Sequence, residues 1–149
     1  MKVALVCSSG GHLAQLHRLR GWWEDHERFW VTFDTADASS LLVHERVVWA
    51  YHPTTRNIPN AIRNLWLAWW LLGRERPDVV VSDGAGVAVP FFLAARMRGI
   101  RTVYVEVYDR IDTRTMAGRL CYPFADLFCV QWEEQRRLYP RAQLIGTLF

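Results

Sequence analysis

The chain has 149 residues, 51% apolar and 22% charged, which suits one packed domain and excludes a disordered chain. Eighteen basic residues against 15 acidic ones give a net charge of +3, and Lys2 is the only lysine, so phosphates or carboxylates are natural partners for the arginine forks; the base composition of the source genome can produce the same bias. Cys7, Cys121 and Cys129 have no C-x-x-C spacing, which excludes a disulfide framework or zinc finger and points to a reducing compartment.

The first element is a predicted strand over Val3–Ser8. One charge and a handful of apolar residues precede Ser8 and Ser9, too few for a signal peptide or a spanning helix. The strand empties into Ser9-Gly10-Gly11-His12, and a helical pattern follows over Leu13–Trp22. Such a turn aims backbone N–H groups and a helix N-terminus at one spot, a natural seat for an anion. His12 can add a proton or a charge there near neutral pH, or it can be a satisfied helix-capping side chain.

Strands are predicted next at Arg28–Phe33, Val47–Tyr51, Val79–Ser82, Thr102–Val107, Leu127–Gln131 and Gln143–Ile145. Helical patterns separate them at Ala36–Val43, Pro59–Glu75, Val87–Arg98, Arg114–Cys121 and Glu133–Leu138. Runs such as Val79-Val80-Val81 are apolar without alternation, as expected of strands covered on both faces. Regular alternation of this kind predicts an α/β fold with a doubly wound parallel sheet, whose ligands bind beyond the carboxyl ends of the strands.

Three loops then converge on that edge: Ser8-Ser9-Gly10-Gly11-His12, Ser82-Asp83-Gly84-Ala85-Gly86, and Glu106-Val107-Tyr108-Asp109-Arg110. Glycine turns can serve strand-to-helix geometry alone, and Asp83 can be a helix cap. Glu106 ends an apolar strand, where burial can raise a carboxyl pKa; the alternative is a structural carboxylate paired with an arginine such as Arg110. The turn is neither a G-x-G-x-x-G fingerprint nor a P-loop, so nicotinamide and P-loop chemistry are not indicated. His17, His26, His44 and His52 read as surface or loop residues. No metal-ligand cluster and no cofactor are implied.

The helix from Ile58 to Arg76 is apolar on more than one side. Ile58, Ile62, Leu65, Trp69 and Leu72 form the predicted core stripe. Trp66, Leu67, Trp70 and Leu71 fill much of the remainder, with Arg63 and Arg74 away from the core. The segment is too short to span a bilayer, and it fits either an interfacial helix or one buried against a partner. Nucleic acid is not an expected partner, because no aromatic-interleaved basic stripe or groove-reading helix is present.

An ordered set of segments resembles a known family: Cys7-Ser-Ser-Gly-Gly-His-Leu13, Tyr104-Val-Glu106, Tyr122-Pro-Phe-Ala-Asp126, Val130-Gln-Trp132, Tyr139-Pro140 and Gly146-Thr-Leu-Phe149. Together they resemble the acceptor-side subunit of split GT-B glycosyltransferases. Relatives include the membrane-anchoring subunit of the eukaryotic dolichol-linked N-acetylglucosaminyltransferase and bacterial exopolysaccharide or capsule counterparts. The glycine-histidine turn is also similar to the N-terminal half of the peptidoglycan enzyme that glycosylates lipid I.

The resemblance implies a Rossmann-like domain over residues 1–149 and half of an inverting enzyme. A second subunit would carry the UDP-sugar site, and this chain would bind a polyprenyl-diphosphate-linked saccharide at the cytoplasmic face of the plasma membrane as a peripheral protein. It implies that Gly10, Gly11 and His12, with Ser9, Asp83, Gly84 and Gly86, face the lipid-linked diphosphate, and that His12 or Glu106 is the base. The eukaryotic subunit has an N-terminal membrane helix, whereas this sequence opens on the first strand, so attachment is expected from Trp66, Leu67, Trp70, Arg63 and Arg74 or from the partner. After Glu106 the sequence reads Val-Tyr-Asp-Arg, where a smaller residue is expected. A non-catalytic scaffold that recruits a soluble glycosyltransferase to the membrane is the alternative.

Overall fold

The structure is a computed structural model that describes residues 1–149. Seven parallel strands form one sheet in the order β3-β2-β1-β4-β5-β6-β7: β1 (Lys2–Val6), β2 (Glu27–Thr32), β3 (Val47–Trp49), β4 (Val79–Ser82), β5 (Arg101–Val105), β6 (Leu127–Val130) and β7 (Gln143–Leu144). The chain winds outward one way from β1 and then returns to wind the other way from β4. The switch point therefore lies between these two strands, where such sheets hold their ligands.

Alternation along β1 divides the core. Val3 and Leu5 pack into one layer with Leu13, Leu16, Trp23 and Ala38. Ala4 and Val6 face the other layer, which includes Leu71, Leu72, Phe91 and Phe92. The first layer belongs to helices α1 (Gly11–His17) and α3 (Ala36–Leu41). The second belongs to α4 (Ile58–Glu75), α5 (Ala88–Met97) and α6 (Met116–Cys121). Register settles where the loops start: Val6 pairs with Ser82, and Ser82 pairs with Tyr104. The segments leaving β1, β4 and β5 thus emerge side by side from one edge.

Three predicted helices are corrected. The segment over Leu13–Trp22 is two helices, α1 and α2 (Arg20–Trp23). The Leu16 carbonyl accepts from the Leu19 amide and the Trp23 indole instead of continuing the α ladder. The segment after Trp132 is a 3-10 turn over Glu133–Arg137, tightened by Gln135, whose side chain bonds the amides of Gln131 and Trp132 and the carbonyls of Val107 and Arg110. In α4 the buried face is Asn60, Asn64, Ala68, Leu71 and Leu72, while Ile58, Ile62 and Trp69 are exposed. Leu67 is half-buried against the core rather than presented outward. The asparagines are buried because they are satisfied. Asn64 accepts from the Tyr51 amide at 2.9 Å and donates to its carbonyl at 3.0 Å, and Asn60 donates to the Pro53 carbonyl at 2.8 Å.

Candidate active site

A cavity of about 1080 Å³ opens at the carboxyl edge of the sheet, beside the switch point. Ser8 and His12 line it from the first loop, Ala85 and Gly86 from the loop after β4, and Val107, Asp109 and Arg110 from the loop after β5. A fourth loop, after β3, adds His52, Thr54 and Arg56. Helices α4, α5 and α6 close the far side.

His12 stands at the mouth, its side chain 28% exposed. Its Nδ1 lies 3.1 Å from the backbone carbonyl oxygen of Asp83. A carbonyl oxygen only accepts, so Nδ1 carries a proton and the neutral ring keeps its lone pair on Nε2. The Asp83 carboxylate is fully buried, with Oδ1 3.5 Å from the same nitrogen and lacking a hydrogen bond of its own. Burial alone would push the imidazole pKa down, but the Asp83 contacts outweigh it and hold the pKa above its usual value. Burial also pushes Asp83 up to about 6, against the opposing pull of His12.

Behind this pair runs a buried amide chain that sequence reading missed. Gln15 donates to Asp83 Oδ2 at 3.1 Å, and its carbonyl oxygen accepts from the Tyr108 amide at 3.2 Å and from Gln131 at 2.7 Å. Gln131 also donates to the Glu106 carbonyl and accepts from the Leu148 amide. Asp83 is therefore held in place from α1 by Gln15, which Gln131, just after β6, braces in turn, and it does not cap α5, whose first turn has no side-chain cap.

The other expected residues fall into three places. Ser9, Gly10 and Gly11 form a shoulder next to the cavity rather than its lining, and the Gly10 amide is not free: it donates to Asp37 at 2.7 Å. A native carboxylate thus sits at one of the N–H groups expected to await an anion. Gly84 packs behind the loop with φ near 117°, where an added Cβ would lie 2.6 Å from the Tyr104 hydroxyl, so only glycine fits. Glu106 is wholly enclosed. Its Oε2 accepts from Tyr139 at 2.6 Å, its Oε1 from Thr115 at 3.0 Å and from the Val107 amide at 3.0 Å. Burial, then the Glu106 carboxylate, push the Tyr139 phenol upward, so it stays protonated and donates. Arg110 is not the partner of this carboxylate.

Trp66 and Trp70 stand 71% and 54% exposed on α4, Arg63 is exposed nearby, and Arg74 stacks over Trp70 at 4.4 Å. No helix is long and apolar enough to cross a membrane. His52, expected as a plain loop residue, stacks on Phe33 at 5.0 Å inside the cavity. Its signal was available, because the loop after β3 leaves the same sheet edge as the other three.

The human UDP-N-acetylglucosamine transferase subunit ALG14 is 26% identical over 179 aligned positions, covering 99% of this chain and 83% of that protein. The UDP-N-acetylglucosamine--N-acetylmuramyl-(pentapeptide) pyrophosphoryl-undecaprenol N-acetylglucosamine transferase of Geobacillus kaustophilus is 32% identical over 78 positions, 52% of this chain and 21% of that one. The crystal structure of Acinetobacter baumannii MurG superposes with a TM-score of 0.72 at 16% identity, covering 89% of this chain and 42% of MurG, a likeness of fold. This chain therefore spans less than half of that solved structure. A family model described as "Oligosaccharide biosynthesis protein Alg14 like" matches residues 46–148, and the chain belongs to that family.

Proposed function

We propose that this chain is the acceptor-binding, membrane-associating subunit of a two-component inverting glycosyltransferase. A partner subunit holds a UDP-sugar, and the acceptor is a saccharide linked to a polyprenyl diphosphate. UDP-N-acetylglucosamine is the donor to test first, since the names of the relatives specify it. The observation that supports the reading is the cavity-lining imidazole of His12, its tautomer set by buried Asp83 at the switch point of the sheet. In the reaction, Nε2 of His12 takes the proton of the acceptor hydroxyl as its oxygen attacks the anomeric carbon. The bond from that carbon to UDP breaks with inversion, and UDP leaves on the partner half. The shoulder at Ser9, Gly10 and Gly11 faces the cleft between the halves. The test is to purify the chain with its partner and assay sugar transfer to a lipid-linked acceptor; robust turnover by the chain alone rejects the two-component reading.

Two outcomes follow. Neutral His12 is the working base, so the rate rises with pH through its pKa, which Asp83 holds above the ordinary value. Asp83→Asn removes the carboxylate and leaves burial, so the acid limb of the kcat profile moves to lower pH. Turnover on the plateau falls by roughly an order of magnitude or more as the ring loses its orienting partner. An unmoved acid limb assigns the titration to another group.

The exposed tryptophans of α4, with Arg63 and Arg74, suit an interfacial surface whose rings and cationic heads sit at the lipid headgroups. Trp66→Glu and Trp70→Glu should each weaken sedimentation with anionic vesicles by roughly tenfold. Unchanged vesicle binding moves the membrane contact to the partner.

A further inference from the structure

We infer that the cavity is a two-part site, in which Arg56 and Arg110 hold the acceptor's diphosphate and a trough between α4, α5 and α6 seats the first prenyl units of its carrier. The inference rests on the acceptor-site reading above and adds where the carrier lies. The lining divides by element, and the loops contribute its charged and titratable side chains: His12, Arg56 and Arg110, with Asp109 the one acidic side chain among the lining residues. Two guanidinium forks against one carboxylate favour an anion of more than one charge. They also supply what the turn at Gly10 does not, since its amide is taken by Asp37.

The helices contribute a wall of different character. Ile62 and Leu65 of α4, Val89 and Leu93 of α5, and Met116 and Leu120 of α6 line it without a charged group among them. Met116 and Leu120 are 70% and 46% exposed, so the trough opens outward through a rim of uncovered hydrocarbon. Ile58, Ile62 and Trp66 are spaced four apart on α4, and this exposed stripe carries the apolar path from the cavity toward the tryptophans. The order of chemistry is diphosphate first and branched hydrocarbon next. A nucleotide would instead place its ribose and base against side chains that offer them no hydrogen bonds. Two lining residues are strained: Arg56 and Ala85 take positive φ, 48° and 64°, without being glycine.

Farnesyl diphosphate, inorganic pyrophosphate and farnesol, each titrated into the full chain in a calorimeter, test this without a membrane. Farnesyl diphosphate should bind about tenfold or more tightly than pyrophosphate, because hydrocarbon is buried in one case only. Met116→Gln combined with Leu120→Gln alters only the exposed rim of the trough. It should bring farnesyl diphosphate down to the affinity of pyrophosphate and leave pyrophosphate itself unmoved. Arg56→Ala should weaken both diphosphates, and farnesol should bind worse than farnesyl diphosphate. Equal affinity for the two diphosphates, or farnesyl diphosphate binding indifferent to the rim substitutions, overturns the inference. Turnover in the reconstituted complex separates the two levels. Normal transfer to short and long prenyl acceptors by the rim variant overturns the trough and leaves the acceptor-site reading standing. No transfer by the parent complex to any prenyl-diphosphate acceptor overturns the reading itself.

Discussion

His12→Gln is expected to lower kcat of the reconstituted complex by about 10²- to 10⁴-fold, the usual range for loss of a positioned general base. Little else should change. The imidazole is partly exposed and makes its polar contacts with Asp83 alone, so the variant should fold and melt close to the parent. Glutamine approximates the length of the ring and can still donate to the Asp83 carbonyl, but it cannot take a proton. A loss of this size in kcat assigns proton transfer to His12. A rise in KM with kcat kept would make it a phosphate contact, and unaltered kinetics would favour the scaffold that merely recruits a soluble enzyme.

The second large effect concerns stability. Glu106→Ala should destabilise the chain by about 3 kcal/mol, because three donors lose the acceptor that this fully buried carboxylate gives them. Those donors are the hydroxyls of Tyr139 and Thr115 and the amide of Val107. At this chain length the loss corresponds to a fall of roughly 10 °C in Tm, readable by thermal denaturation. Glu106→Gln keeps an acceptor oxygen and should cost about 1 kcal/mol. Its kinetics distinguish bracket from base. A Glu106→Gln complex that melts like the parent yet turns over a hundredfold more slowly would return the proton-transfer role to this carboxylate.

Apolar runs without alternation made the strands readable. Val79-Val80-Val81 has nowhere to lie but inside a sheet covered on both sides, and it forms β4. From strand order follow the shared edge, the turns and the prominence of His12. What escaped was held by neutral polar side chains. Asn60 and Asn64 turned α4 on its axis, and an apolar-only count of its face cannot foresee that, because their burial depends on loop carbonyls and amides. Gln15 and Gln131 lie 116 positions apart and meet at 2.7 Å, a contact that no local pattern encodes. Glu106 was legible as a buried carboxylate, but not its partners, since Thr115 and Tyr139 reach it from separate turns of the chain. Arg56 lay in a loop whose edge was predictable and whose side chains looked ordinary.

The Asn60 and Asn64 amides tie the strip from Tyr51 to Pro53 onto α4. The helix that would rest on a lipid leaflet and the start of the loop that carries His52 and Arg56 are consequently fastened together. The depth at which the tryptophans settle would therefore set how high the doorway stands above the headgroups. Docking of the protein and alignment of its entrance would be a single event.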